Sequence, residues 1–152
     1  MNFNHLIPEL SVSNLEKSIH FYVDILGFTV EYERPEKRFV YLSFQGSQLM
    51  LDEGNSDPTS SWYTGPLEYP RGRGIHFQLD IDSLVPMLAS LEKYHYPIKN
   101  PPSDYWFREN DMLIGMRGVL VMDPDGYLLM FNEDLGKKPL LSAVGPGREA
   151  GS

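Results

Sequence analysis

The chain has no cysteine among its 152 residues. That excludes disulfide scaffolds, thiolate zinc sites, iron–sulfur clusters and cysteine nucleophiles together. It is also short of positive charge: 13 Lys and Arg stand against 21 Asp and Glu, a net −8. A nucleic acid is then a poor partner and a cationic ligand a suitable one. No apolar run approaches the roughly 18 residues of a membrane span, and no basic-then-apolar leader opens the chain. The expectation is a cytoplasmic protein with no nucleic-acid and no membrane partner. Catalytic signatures are missing as well. There is no Gly-x-Ser-x-Gly elbow and no phosphate loop, and Gly72-Arg73-Gly74 precedes a strand, the wrong context for a dinucleotide turn.

What is present suits one domain or two small repeats sharing a core. The residues are 41% hydrophobic, ordinary for a globular chain. Asn4 to Ser11 alternates like a strand. Ser13-Asn14-Leu15-Glu16 fits a capping box, and Leu15, Ile19, Tyr22 and Leu26 follow at helical spacing. Gly27 sits where a helix ends on a positive φ. Phe28–Glu33, Phe39–Phe44 and Gln48–Asp52 read as strands, with turns at Pro35-Glu36-Lys37 and Gln45-Gly46-Ser47.

The pattern then recurs. Gly74–Ile81 reads as a strand. Asp82 is the expected cap of a helix through Tyr94, with Leu84, Met87, Leu88 and Leu91 on one face and Pro97 beyond its end. Trp106-Phe107, Met116–Met122 and Tyr127–Asn132 follow as strands, with a turn at Asp123-Pro124-Asp125-Gly126. Two βαβββ modules result, an α+β fold. The expected divisions are 1–53 for the first module, 54–73 for a linker, 74–135 for the second, and 136–152 for a mobile tail. Ile7 lies six residues before Ser13, and His76 six before Asp82. Leu49-Met50-Leu51-Asp52 matches Leu129-Met130-Phe131-Asn132. Ile7, Met50, His76 and Met130 thus become equivalent positions, one on each of four strands and on one face of the sheet.

These residues resemble the vicinal oxygen chelate superfamily of glyoxalases, bleomycin resistance proteins and extradiol dioxygenases. The resemblance rests on Leu10 to Ser18, Phe21-Tyr22, Leu26-Gly27-Phe28 and Asp123 to Leu129, and runs from about Leu6 to Asn132. It implies paired βαβββ modules in an incomplete barrel around a ligand cleft, and a homodimer. It also implies four metal-ligand positions, His or Glu in the metal-dependent members. Here they are Ile7, Met50, His76 and Met130. Isoleucine has no donor, thioethers are poor donors for hard or borderline divalent ions, and one imidazole does not hold a catalytic metal. The chain is therefore closest to the bleomycin resistance branch, which binds a bulky cationic drug without a metal cofactor or bond cleavage. Leu49-Met50-Leu51 before an acidic residue, Ser61-Trp62 in the linker and the early Pro8 carry that similarity.

The expected ligand-binding residues are Glu9, Phe39, Tyr41, Met50, Asp52, Trp62, His76, Trp106 and Met130. Glu9 and Asp52 supply an acidic wall, with Lys37 or Arg108 as alternative salt partners. Trp62 and Trp106, with neighbouring Tyr63 and Phe107, offer stacking rings or cover sheet ends. Met50 and Met130 line a pliable pocket or belong to the core. His20 and His95 read as surface or packing residues, and Arg71-Gly72-Arg73 as a solvated loop. The expected partner is a small molecule, with a bleomycin-type antibiotic as the candidate, and no cofactor is expected. The alternative is a metal-dependent lyase or dioxygenase using His5, His76 and Glu9, with Asp52 as a further donor.

Overall fold

The computed structural model describes residues 2–54 and 59–140. Strand β1 (Glu9–Ser11) leads into α1 (Leu15–Ile19), which widens into a π-helical turn over His20–Ile25. Strands β2 (Thr29–Arg34), β3 (Phe39–Phe44) and β4 (Ser47–Asp52) complete the first module. The second repeats it with β5 (His76–Ile81), α2 (Val85–Lys93), β6 (Asn100–Glu109), β7 (Met112–Met122) and β8 (Leu128–Pro139). Each module is one four-stranded sheet, ordered β1-β4-β3-β2 and β5-β8-β7-β6. Only the pairs β1–β4 and β5–β8 are parallel. The sheets do not close into a barrel.

Strand alternation decides what is buried. Leu10, Val40, Leu42 and Leu51 on the first sheet, and Leu79, Val119, Leu129 and Phe131 on the second, point into one shared core with Phe21, Tyr22 and Leu91 from the helices. The opposite, concave faces are left for other work. Gly27, with φ +93°, ends the first helical segment, as its position suggested. Phe28 N–H closes back on the Tyr22 carbonyl at 2.8 Å.

The helix starts differ from expectation. Asn14, not Ser13, caps α1, accepting from the Lys17 N–H at 3.0 Å. The Ser13 N–H donates instead to Asp125 Oδ2 at 3.1 Å, and the Leu15 N–H to Glu53 Oε2 at 2.6 Å. Glu16 turns out to take the Arg38 guanidinium through both oxygens. At α2 the Leu84 N–H goes to Glu133 Oε2 at 3.1 Å and the Val85 N–H to Ser83 Oγ, so Asp82 is not its cap. Distant carboxylates satisfy these orphan donors, which a local sequence motif cannot show.

Three boundaries also move. Only Glu9–Ser11 of the expected first strand is paired. Strand β6 is much longer than Trp106-Phe107. Strand β8 runs to Pro139, with a shift at Gly115/Met116 and a positive-φ Gly136 that keep it paired to β7. The expected tail therefore contributes four residues, 136–139, to the sheet; its remainder from 141 lies outside the described residues. The linker is partly structural. Arg71 N–H and Gly72 N–H bond the carbonyls of Asp125 and Gly126. The Arg71 side chain is mostly buried, donates to the Ser11 carbonyl at 3.0 Å and faces Asp125 at 3.9 Å. It is a tie between modules, not a solvated loop residue.

Candidate functional site

The concave face of the first sheet gathers five of the expected residues. Register places Glu9, Met50, Tyr41 and Tyr32 in one row across it, and Ser11, Asp52, Phe39 and Arg34 in the next. A hollow of about 430 Å³ opens between this face and the linker, walled by Glu9, Ser11, Asp52, Trp62, Tyr63 and Tyr127. A second, of about 480 Å³, continues past the same two carboxylates to Arg34, Lys37 and Phe39. Together they form one trough with Glu9 and Asp52 at its middle.

Those two carboxyls define its electrostatics. Burial holds the Glu9 carboxyl above its usual range, and the charge and hydrogen bond of Asp52 push it the same way, against the opposing pull of Arg34. Asp52 is fixed by the Gly54 N–H, which donates to its Oδ1 at 2.6 Å. Two carboxyls this close repel as charges, and a cation beside them relieves that repulsion. Arg34 is the nearby resident cation, its guanidinium over the Phe39 ring at 4.8 Å and the Tyr32 ring at 5.5 Å. Lys37 lines the outer hollow. Arg108 is on the other sheet, where its Nε donates to the Asn110 carbonyl, and so is no partner of the pair.

Trp62 stands at the rim with 78% of its surface exposed, so its ring is free to stack. At the other end of the face, Tyr41 is buried, donates to Gln48 Oε1 at 2.6 Å, and is covered edge-on by Phe3 at 5.4 Å. Residues 2–4 are pinned there by Gln48 and Gly46.

The other expected residues lie elsewhere. Gln78 pairs with Met130 as Glu9 pairs with Met50, so the internal repeat holds in register. His76 is exposed opposite Leu128, and none of His76, Met130, Met50 and Tyr41 lines the trough. Trp106 faces away from the concave side. Tyr105 and Phe107 share that side, their rings stacked at 6.3 Å. Trp106 instead lies over Gly115, whose added Cβ would meet the indole at 2.6 Å, with Lys138 Nζ 3.7 Å from the ring centre. Of the two neighbours Trp106-Phe107, a strand can send only one to each face. Residues that sequence reasoning did not place at the site include Arg34, Ser11, Leu67 and Tyr127; the first two follow from strand pairing, Leu67 from the linker's path, and Tyr127 from the second module, its hydroxyl donating to the Ser11 carbonyl at 3.0 Å.

The family's metal does not fit here. Ile7, Met50, His76 and Met130 offer one nitrogen and two thioethers. The alternative donors His5, His76 and Glu9 are not brought together, and no group of three His, Cys, Asp or Glu is placed to hold a metal among the described residues. No helix among them is long and apolar enough to cross a membrane.

Comparison with known proteins places this architecture. A solved glyoxalase/bleomycin resistance protein/dioxygenase superfamily member from Vibrio splendidus 12B01 is 30% identical over 85% of this chain and 97% of its own, with a TM-score of 0.38. TioX from Micromonospora sp. ML1 shares the fold at TM-score 0.63, with 18% identity over 88% of this chain and all (100%) of its own. A lactoylglutathione lyase from Agrobacterium tumefaciens does so at 0.57, with 16% identity over 88% and 95%. No curated protein matches the chain in sequence. The model of the Glyoxalase/Bleomycin resistance protein/Dioxygenase superfamily matches residues 2–131, and the chain belongs to that superfamily.

Proposed function

We propose that the protein is a metal-free binder that sequesters a bulky cationic, aromatic small molecule, of which a bleomycin-type antibiotic is the leading example. The observation that carries this reading is the Glu9–Asp52 carboxyl pair in a trough rimmed by an exposed Trp62. A cationic group on the ligand would sit between the two carboxyls and stabilise their charge. A planar group would stack on Trp62, and Phe39 and Leu67 would supply apolar wall. In this reading binding itself is the activity.

A homodimer completes the site in this reading. The concave face of the second sheet leaves His76, Gln78 and Asp80 exposed and Met130 half-buried. A second copy could lay that face over the trough of the first, bringing His76 and Met130 to the ligand. Calorimetric titration with metal-free and copper-loaded bleomycin tests the assignment. Sub-micromolar binding at about one drug per subunit, weakened by Trp62→Ala, is expected. No heat with either form would sink the drug assignment. Restoration of binding or turnover only with an added divalent ion, lost in His76→Ala, would favour a lyase or dioxygenase instead.

A further inference from the structure

A third hollow, of about 380 Å³, lies where the modules meet and shares no residue with the trough. Its walls combine Lys17 from α1, Tyr69 from the linker, Tyr96, Ile98 and Lys99 from the segment after α2, and Met122 from the end of β7. The Tyr96 hydroxyl is committed to the Met122 carbonyl at 2.5 Å, so the tyrosine offers its ring rather than its oxygen. Lys17 and Lys99 are both exposed. Neither ammonium forms an ion pair or a side-chain hydrogen bond with another described residue, whereas Arg38, Arg71, Arg73, Arg117 and Lys137 are ion-paired and Arg34, Lys93 and Lys138 lie over aromatic rings. The hollow thus sets two uncommitted cations beside one apolar floor.

Asp123 also lines this hollow, but its carboxylate is turned into its own turn. Oδ2 accepts from the Tyr22 hydroxyl at 2.8 Å, and Oδ1 accepts the N–H groups of Asp125 and Tyr127 at 2.9 Å each. Its oxygens are thereby committed, and the two lysines outnumber its single charge at the opening.

We propose that this hollow is a second ligand site, for a small aromatic carboxylate whose ring lies against Tyr69, Tyr96 and Ile98 and whose carboxylate is taken by Lys17 and Lys99. The chemistry requires both parts. A neutral apolar molecule would leave the lysines unused, and a bare phosphate would leave the apolar floor wet. The site is opposite in charge to the trough, so the two would accept different ligands.

Titration of the full chain with 2-naphthoate tests this, with 2-naphthalenemethanol as the neutral control. Saturable naphthoate binding is expected, with the alcohol about tenfold weaker. Lys17→Gln and Lys99→Gln should each weaken naphthoate about threefold, and the double variant about tenfold. Both side chains are exposed, so the fold is preserved in these variants. In NMR spectra the methyl groups of Ile98 and Met122 should shift on titration. Absence of saturable binding, equal affinity for the alcohol, or indifference to both lysine variants would overturn the proposal. Loss of naphthoate binding in Trp62→Ala would also overturn it, by putting the probe in the trough.

Discussion

The two modules share one topology and one register, yet their concave faces have diverged. Glu9 opposite Met50 corresponds to Gln78 opposite Met130, and Asp52 corresponds to Asn132. The buried faces stayed apolar in both: Leu51 matches Phe131, and Leu49 matches Leu129, each at most 4% exposed. The core side is constrained by close packing, where a lost methylene is felt at once. The concave side is constrained only by what it must bind. The first module therefore carries a carboxyl pair and a linker wall, while the second presents an amide, an exposed imidazole and half-buried methionines. Its strands are also longer, 10, 11 and 12 residues against 6, 6 and 6.

Breaking the equivalent core positions should show how far the modules remain one unit. Phe131→Ala should cost about 3–5 kcal/mol and Leu51→Ala about 2–5 kcal/mol. Because one cluster spans both modules, urea denaturation should stay a single transition in each variant. Two separated transitions would mean that the modules fold independently.

Asp123 sharpens the comparison at the seam. Burial pushes its carboxyl up to about 6, although the Tyr22 hydroxyl and two N–H groups work in the other direction. The native state then holds a proton that the unfolded chain releases near pH 4. Stability from this residue is highest below pH 4 and falls as pH rises to about 6, by about 2–3 kcal/mol. Asp123→Asn keeps the shape and the Oδ1 acceptor for the two N–H groups, removes the titration, and turns an amide NH2 toward the Tyr22 hydroxyl. Unfolding free energies measured from pH 4 to 7 should lose that downward component in the variant, and an unchanged slope would show that the residue does not titrate there.

The third test contrasts Glu9 with its counterpart Gln78. Glu9→Gln makes the first face resemble the second and should weaken a cationic ligand about tenfold. In the parent chain, affinity should fall as acid protonates the raised Glu9 carboxyl, and this dependence should shrink in the variant. The smallest effects separate the two tryptophans. Trp62→Ala should weaken an aromatic ligand about fivefold, while Trp106→Ala should leave affinity within about twofold. Trp106→Ala should lower Tm instead, since the indole covers Gly115.

Much of the fold was legible because its signals are local. Period-2 alternation located most of the strands, 3.6-residue spacing located both helices, and the matched Leu-Met-Leu-Asp and Leu-Met-Phe-Asn strands exposed the repeat. Once the repeat was aligned, alternation alone put Glu9, Met50 and Asp52 on one face. Trp106 shows the limit of that reasoning. The sequence marks an aromatic strand, but only pairing across to Gly115 decides which ring faces the ligand side.

The sequence by itself determined the two βαβββ modules, the residues Ile7, Met50 and Met130 at positions where the family resemblance implies metal donors, and the acidic character of the chain. Each depends on residue identity and on spacing within one element. Tertiary structure decided that Arg34 rather than Arg108 stands by the carboxyl pair, that Asp125 and Glu53 serve α1, and that Arg71 ties the modules together. It also decided that Lys17 and Lys99 meet across 82 positions at one hollow. Such partners are chosen by the path of the folded chain, and no local preference of either residue encodes them.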